Sequence, residues 1–269
     1  MFKRYLHSLL TLSLVLVLTA CGEYQKVLKS TDNAYKLEKA IEYYDNEEYT
    51  KALPLFEELM NVYRGSTKAP EVYYYYAYTH YAEAKYLLAA YHFKNFAKTF
   101  AGNEHAEECA FMSAKCYYLD SPRPTLEQSN TYKAMEELQL FINTHPGSKY
   151  IDECNELMKN LRTKLETKSL LIAKNYYEVG SYQASIVAYN NTLNEFPDTK
   201  RKEEIYYYQF LASFELAKNS VEEKKLQRLK EAAVVYSALK RAYPESQYLE
   251  EASKLNNELT EMIEKFNNA

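Results

Sequence analysis

Four histidines follow residue 20, His80, His92, His105 and His145, and none stands in a metal-ligating spacing such as H-E-x-x-H. Cys109, Cys116 and Cys154 form no C-x-x-C. Cys109 and Cys116 are about 10.5 Å apart along a helix, beyond the ~7 Å that a disulfide spans, so all three read as small buried hydrophobes. The acidic pairs Glu57-Glu58, Glu107-Glu108 and Glu136-Glu137 are adjacent in sequence, the pattern of a solvated helix face and not of paired general acids and bases. There is no G-x-S-x-G and no phosphate-cradling glycine loop. These absences point away from catalysis and away from metal or cofactor binding. The residue type in excess is tyrosine, 29 against no tryptophan, and tyrosine chemistry is contact chemistry: a broad ring plus one hydroxyl.

One further residue carries chemistry of another kind. Lys3 and Arg4 precede an apolar run from Leu9 to Leu18, and Leu18-Thr19-Ala20-Cys21 closes it. The run is too short to span a bilayer as a helix. The pattern resembles a bacterial lipoprotein signal, which implies that residues 1–20 are removed and that Cys21 carries a covalent lipid as first residue of the mature chain. No other cofactor is expected. Gly22 and Glu23 then lead no acidic run, which favours the periplasmic face of an outer membrane. Loss of Lys3 and Arg4 takes the basic count from 33 to 31 against 37 acidic residues, a balance of −6, and this excludes the basic footprint that nucleic acid rewards.

Five glycines and seven prolines in 269 residues leave little turn chemistry, so the elements that position these side chains are helices. They repeat. One ungapped frame (a small residue, an aromatic or Leu at +4, an aromatic or His at +11, and Ser, Thr or Asn at +14) recurs five times. The copies are Ala52-Phe56-Tyr63-Ser66, Ala89-Phe93-Phe100-Asn103, Ala134-Leu138-His145-Ser148, Ser185-Tyr189-Phe196-Thr199 and Ala232-Tyr236-Tyr243-Ser246. The small residue admits a neighbouring helix, +4 and +11 share its face, Pro146, Pro197 and Pro244 stop the helix, and +14 caps the next one. Ala40, Ala77 and Ala173 stand twelve residues earlier and Gly180 marks an A-to-B turn, so the frame resembles tetratricopeptide (TPR) repeats. Histidines at core positions, His80 and His145, then read as packing residues.

The copies are 37, 45, 51 and 47 residues apart, longer than the usual TPR period of about 34. Ser121-Pro122-Arg123-Pro124 and residues 218–226 are read as loop insertions. Between Ser148 and Gly180 an unbroken apolar stripe predicts one helix of about 30 residues, about 45 Å long. The expected fold is all-α, a right-handed superhelical array of about five TPR helix pairs with the long helix joining repeats three and four. Residues 1–20 are the leader, 21–33 a lipidated linker, 34–148 the front repeats, and 149–266 the long helix and rear repeats. In this register Leu37, Ile41, Tyr44, Tyr74, Tyr78, Tyr81, Phe111 and Tyr118 lie beside the core on helix A. They either line a peptide-binding groove or pack against neighbouring segments.

Leu161-Arg162-Thr163-Lys164-Leu165, Ala173, Tyr176-Tyr177, Gly180, Tyr182 and Phe196-Pro197-Asp198-Thr199, on a lipoprotein with this repeat plan, resemble the BamD family of outer-membrane assembly lipoproteins. The resemblance implies a non-catalytic subunit of the β-barrel assembly machine. Its partners would be the POTRA domains of a BamA-like barrel insertase and unfolded outer-membrane β-barrel proteins. Val187-Ala188 stands where members of the family carry Asn-Arg, so a charged contact there does not transfer. SusD-like nutrient-binding lipoproteins and CpoB-like envelope adaptors also use TPR helices. The former are much longer, and the latter lack the match around Arg162 and Asp198.

Overall fold

The computed structural model describes residues 22–268, and every regular element among them is helical. In chain order these are α1 (22–29), α2 (Asn33–Asp45), α3 (Tyr49–Val62), α4 (Ala69–Ala82), α5 (Tyr86–Thr99), α6 (Ala106–Asp120), α7 (Ser129–Thr144), α8 (Ile151–Glu178), α9 (Tyr182–Glu195), α10 (Lys202–Lys218), α11 (Glu222–Ala242) and α12 (Leu249–Asn267). Cys21 and residues 1–20, expected to be a leader, lie outside the described residues. The chain divides into two compact units. One runs through Pro122 and includes Gln128–Met158; the other comprises Arg123–Glu127 and everything from Lys159. The chain is thus an all-α array of TPR-type helix pairs.

The repeat frame accounts for the elements residue by residue. Its small residues, Ala52, Ala89, Ala134, Ser185 and Ala232, are all fully buried, and the +4 residues Phe56, Phe93, Leu138, Tyr189 and Tyr236 are buried over them. Burial of a side chain of that size contributes about 1.5–3 kcal/mol, so these pairs hold each helix B to its partners. Pro146, Pro197 and Pro244 follow the C-caps His145, Phe196 and Tyr243. The +14 residue then does the same thing in all five copies. Ser66, Asn103, Ser148, Thr199 and Ser246 each accept, through the side-chain oxygen, the backbone N–H two residues on, at 2.9–3.2 Å. Each also donates its own N–H to the carbonyl of the +11 residue. The next helix starts three residues after it.

The A-to-B turn is shared by copies one, two and four. Five residues before the small position the backbone is left-handed: Glu47 at φ 61°, Ala84 at φ 56° and Gly180 at φ 76°. The following N–H reaches back five residues (Glu48 to Tyr43, Lys85 to His80, Ser181 to Tyr176), which closes the last turn of helix A. Only copy four uses glycine, the residue that adopts this conformation without strain.

In the first unit α2 packs on α3, α3 on α4, α4 on α5, α5 on α6 and α6 on α7. In the second, α9 packs on α10, α10 on α11, and α12 on both α10 and α11. The expected long helix is α8, 28 residues. Two expectations are corrected. Residues 22–29, assigned to a linker, form a helix whose Val27 is fully buried against α2 and α3. Residues 218–226, read as a loop, are non-helical only from Asn219 to Val221, because α11 begins at Glu222 and absorbs the extra length.

Candidate functional site

Helices α2 and α4, both first helices of their repeats, carry Tyr44, Tyr74, Tyr78 and Tyr81, and Tyr118 lies on α6. Tyr44 meets Tyr49 and Tyr75 edge-on at 5.5 and 5.2 Å. Tyr75 meets Tyr74 at 5.8 Å, Tyr74 leans on Tyr78 at 4.6 Å, Tyr78 meets Tyr81 at 6.2 Å, and Tyr81 meets Tyr86 at 5.9 Å. The result is one continuous run of half-buried rings from α2 along α4 to the start of α5. Tyr73 to Tyr76, successive in sequence, face different directions because the helix turns about 100° per residue. Tyr73 and Tyr76 point to His92, and Tyr74 and Tyr75 belong to the run.

The run has a polar centre that sequence reasoning missed. Glu108, on the first turn of α6, accepts from the hydroxyl of Tyr74 at 3.0 Å and from that of Tyr78, and His105 Nδ1 lies 3.2 Å from its other oxygen. The Tyr74 ring also lies over His105, centroids 4.4 Å apart. Burial alone would raise the Glu108 carboxyl, but hydrogen bonds from Tyr78, His105 and Tyr74 outweigh it and hold the group below the usual carboxylate range. Burial drives the Tyr44 hydroxyl up to about 12, and burial with the adjoining carboxylate drives Tyr74 and Tyr78 higher still. None of these phenols is poised as a nucleophile or base near neutral pH. What the arrangement offers is aromatic edges at fixed positions around one anionic acceptor.

Phe111 is corrected. It is 2% exposed, stacked on Tyr150 at 4.3 Å and set against Phe141 at 5.8 Å, so it belongs to the core between α6, α7 and the start of α8. Leu37 is likewise buried. Tyr118 lies half-buried at the far end of α6. The acidic pairs are not uniformly solvated either. Glu137 is 8% exposed and held by Lys94 and Lys133, and Glu58 neutralises the buried Lys36 at 2.7 Å. Cys109, Cys116 and Cys154 are buried free thiols.

In the second unit, the residues around Arg162 form a clasp. The Arg162 guanidinium makes a two-pronged ion pair with Asp198 at 2.8 and 2.5 Å and lies over the Phe196 ring. Glu166 accepts from Thr199 Oγ1, and Thr199 Oγ1 also accepts the Arg201 N–H in the turn before α10. Ser185 Oγ donates to the Ala173 carbonyl at 2.8 Å, joining α9 to α8. An open groove of about 800 Å³ is lined by Ile172, Tyr176, Tyr182, Val187, Ala188 and Leu216. It is apolar at Val187 and Ala188.

Among the described residues no three His, Cys, Asp or Glu side chains converge as a metal site, and no helix is long and apolar enough to cross a membrane. Among solved structures, the TPR2AB domain of yeast Sti1, in a pHSP90 complex, aligns over 85% of this chain and 98% of its own, with 11% identity and a TM-score of 0.42. A TPR repeats protein from Bacteroides fragilis aligns over 87% of this chain and all of its own, with 13% identity and a TM-score of 0.40. Both scores are too low to bear on what this chain does. No curated protein matches it. A family model described as YfiO, outer membrane lipoprotein, matches residues 29–224, from the end of α1 into α11. The chain therefore belongs to the YfiO, or BamD-like, family: non-catalytic TPR lipoproteins on the periplasmic side of the outer membrane, with a role in outer-membrane protein biogenesis.

Proposed function

We infer that the chain is a scaffold subunit of the outer-membrane β-barrel assembly machine, anchored by a covalent lipid on Cys21. Its rear repeats, from Gln183 to Phe266, dock the POTRA domains of a BamA-like insertase. Its front tyrosine run, Tyr44, Tyr74, Tyr78 and Tyr81 with Tyr118 beyond, receives extended segments of unfolded barrel proteins. The supporting observation is the run itself: half-buried rings at 4.6–6.2 Å steps, held by Glu108, within a chain of this family. Rings fixed in advance lose little side-chain entropy when a peptide covers them, and their edges accept varied apolar residues, as a binder of many barrel sequences requires. Glu108 keeps acceptor capacity for a backbone N–H or a basic side chain.

The test is substitution of Tyr74, Tyr78 and Tyr81 by alanine, with circular dichroism to establish that the repeats remain folded, and titration with C-terminal peptides of barrel proteins. Loss of binding in a folded variant supports the assignment. Unchanged binding would remove the tyrosine run from the account.

A further inference from the structure

Helix α1 is fastened to the first repeat along its whole length. Val27 is fully buried in the cluster formed by Leu37, Ala40, Ala52 and Phe56. The Tyr24 hydroxyl donates to the Lys51 carbonyl on α3 at 3.2 Å, and the Tyr24 ring meets Tyr43 of α2 edge-on at 5.6 Å. Lys36, only 2% exposed, donates its ammonium to the Leu28 carbonyl at 3.2 Å as well as to Glu58. That last contact makes α1 part of the solvation of a buried charge, which raises the cost of letting the helix go. Cys21 stands three residues before Tyr24. Even fully extended, that stretch reaches only about 10 Å.

We propose that the anchor is a short strut and not a flexible tether: with Cys21 in the lipid, α1 holds the adjoining edge of α2 and α3 against the phospholipid headgroups, making this edge of repeat one a membrane-contact surface. The proposal rests on the lipidation of Cys21. The edge carries Lys39 paired with Glu42 and Lys51 paired with Glu48, and α1 adds the exposed Lys26 and Lys29 against Glu23, a small positive excess. Its nearness to the membrane is set by the covalent strut, because attraction to anionic lipid reaches only about 8 Å in salt.

Because the chain has no tryptophan, a single one is an unambiguous probe. Thr50, exposed at the start of α3 beside Lys51, is replaced (T50W) in the full lipidated chain, which is reconstituted in vesicles of phosphatidylethanolamine and phosphatidylglycerol with some dansyl-labelled headgroups. A second form carries a spacer of ~12 Gly and Ser residues after Gly22, adding about 20 Å of reach. A third carries Val27→Asp, which expels α1 from the core. The strut predicts strong energy transfer from T50W, and loss of most of it in both altered forms while all three stay vesicle-bound and folded. Transfer that is the same with and without the spacer, whether high or low, overturns the proposal. A chain that does not sediment with vesicles rejects lipid anchoring itself, a failure separate from that of the strut.

Discussion

His80 and His92 face each other between α4 and α5, rings parallel within 12° and 5.3 Å apart. His80 is 4% exposed, and neither of its ring nitrogens has a hydrogen-bond partner among the described residues. Burial, and then Lys85, lower its affinity for a proton, with Glu83 and Glu57 opposing. His92 is lowered from 6.5 to about 4 by burial and by His80 beside it. Both rings are therefore neutral in the folded chain where an unfolded chain would already be protonated. The unfolded state binds the extra protons, so stability is full above the unfolded value of 6.5 and falls as pH drops toward 4. For His92 alone about 2 kcal/mol is lost by about pH 5 and about 3 kcal/mol below pH 4, and His80 adds in the same direction. Urea unfolding of the chain without its leader, repeated across this range, should show midpoints falling between about pH 7 and pH 5, and the H80F/H92F double variant should flatten that fall. Carboxylates such as Glu108 titrate below their usual range and so contribute only at lower pH. A wild-type midpoint that does not move in this window, or a fall that survives in the double variant, refutes the reasoning.

Three further outcomes follow from the repeat geometry. Ala84→Gly relieves a left-handed alanine at φ 56° and should raise stability by about 1 kcal/mol, whereas Gly180→Ala, at φ 76°, should lower it by a similar amount; thermal melts of the two distinguish this from a loop effect. Thr199→Ala removes both the turn bond from the Arg201 N–H and the bond to Glu166, and should cost about 1–2 kcal/mol in denaturant unfolding; a cost near zero would show that the +14 hydroxyl is dispensable. Burial pushes the Cys116 thiol up to about 12 and the Cys154 thiol up to about 11, and Cys109 also rises. All three should resist a thiol reagent near pH 8 until denaturant is added; rapid labelling of the folded chain would contradict their packing.

The frame was legible because each of its terms answers a backbone demand. A helix that must stop takes Pro146, Pro197 or Pro244, and a helix that must start takes a short polar side chain two residues before the N–H it satisfies. Such demands repeat with the repeat, so five weak copies reinforce one another. Phe111 and the polar partners of the tyrosines were not legible for the opposite reason. A helix A residue beside the core has the same sequence pattern whether it faces open space or the next repeat, and Tyr150, which covers Phe111, belongs to a segment 39 residues on. Glu108 reads as solvated in sequence because it is paired with Glu107, while its partners Tyr74 and Tyr78 lie 34 and 30 residues away. A tyrosine-rich helix A followed by His and Glu at the entrance of the next helix A is the signal that could have joined them. Helix α1 escaped because eight residues are too few for a periodic pattern to separate from a linker.

The scaffold reading is tested most directly by isolating the tagged, lipidated chain from gently solubilised outer membranes and identifying by mass spectrometry what accompanies it. Stoichiometric recovery of a POTRA-bearing barrel insertase is the predicted result. Recovery of a TonB-dependent transporter or a division protein in its place, with no insertase, would contradict it.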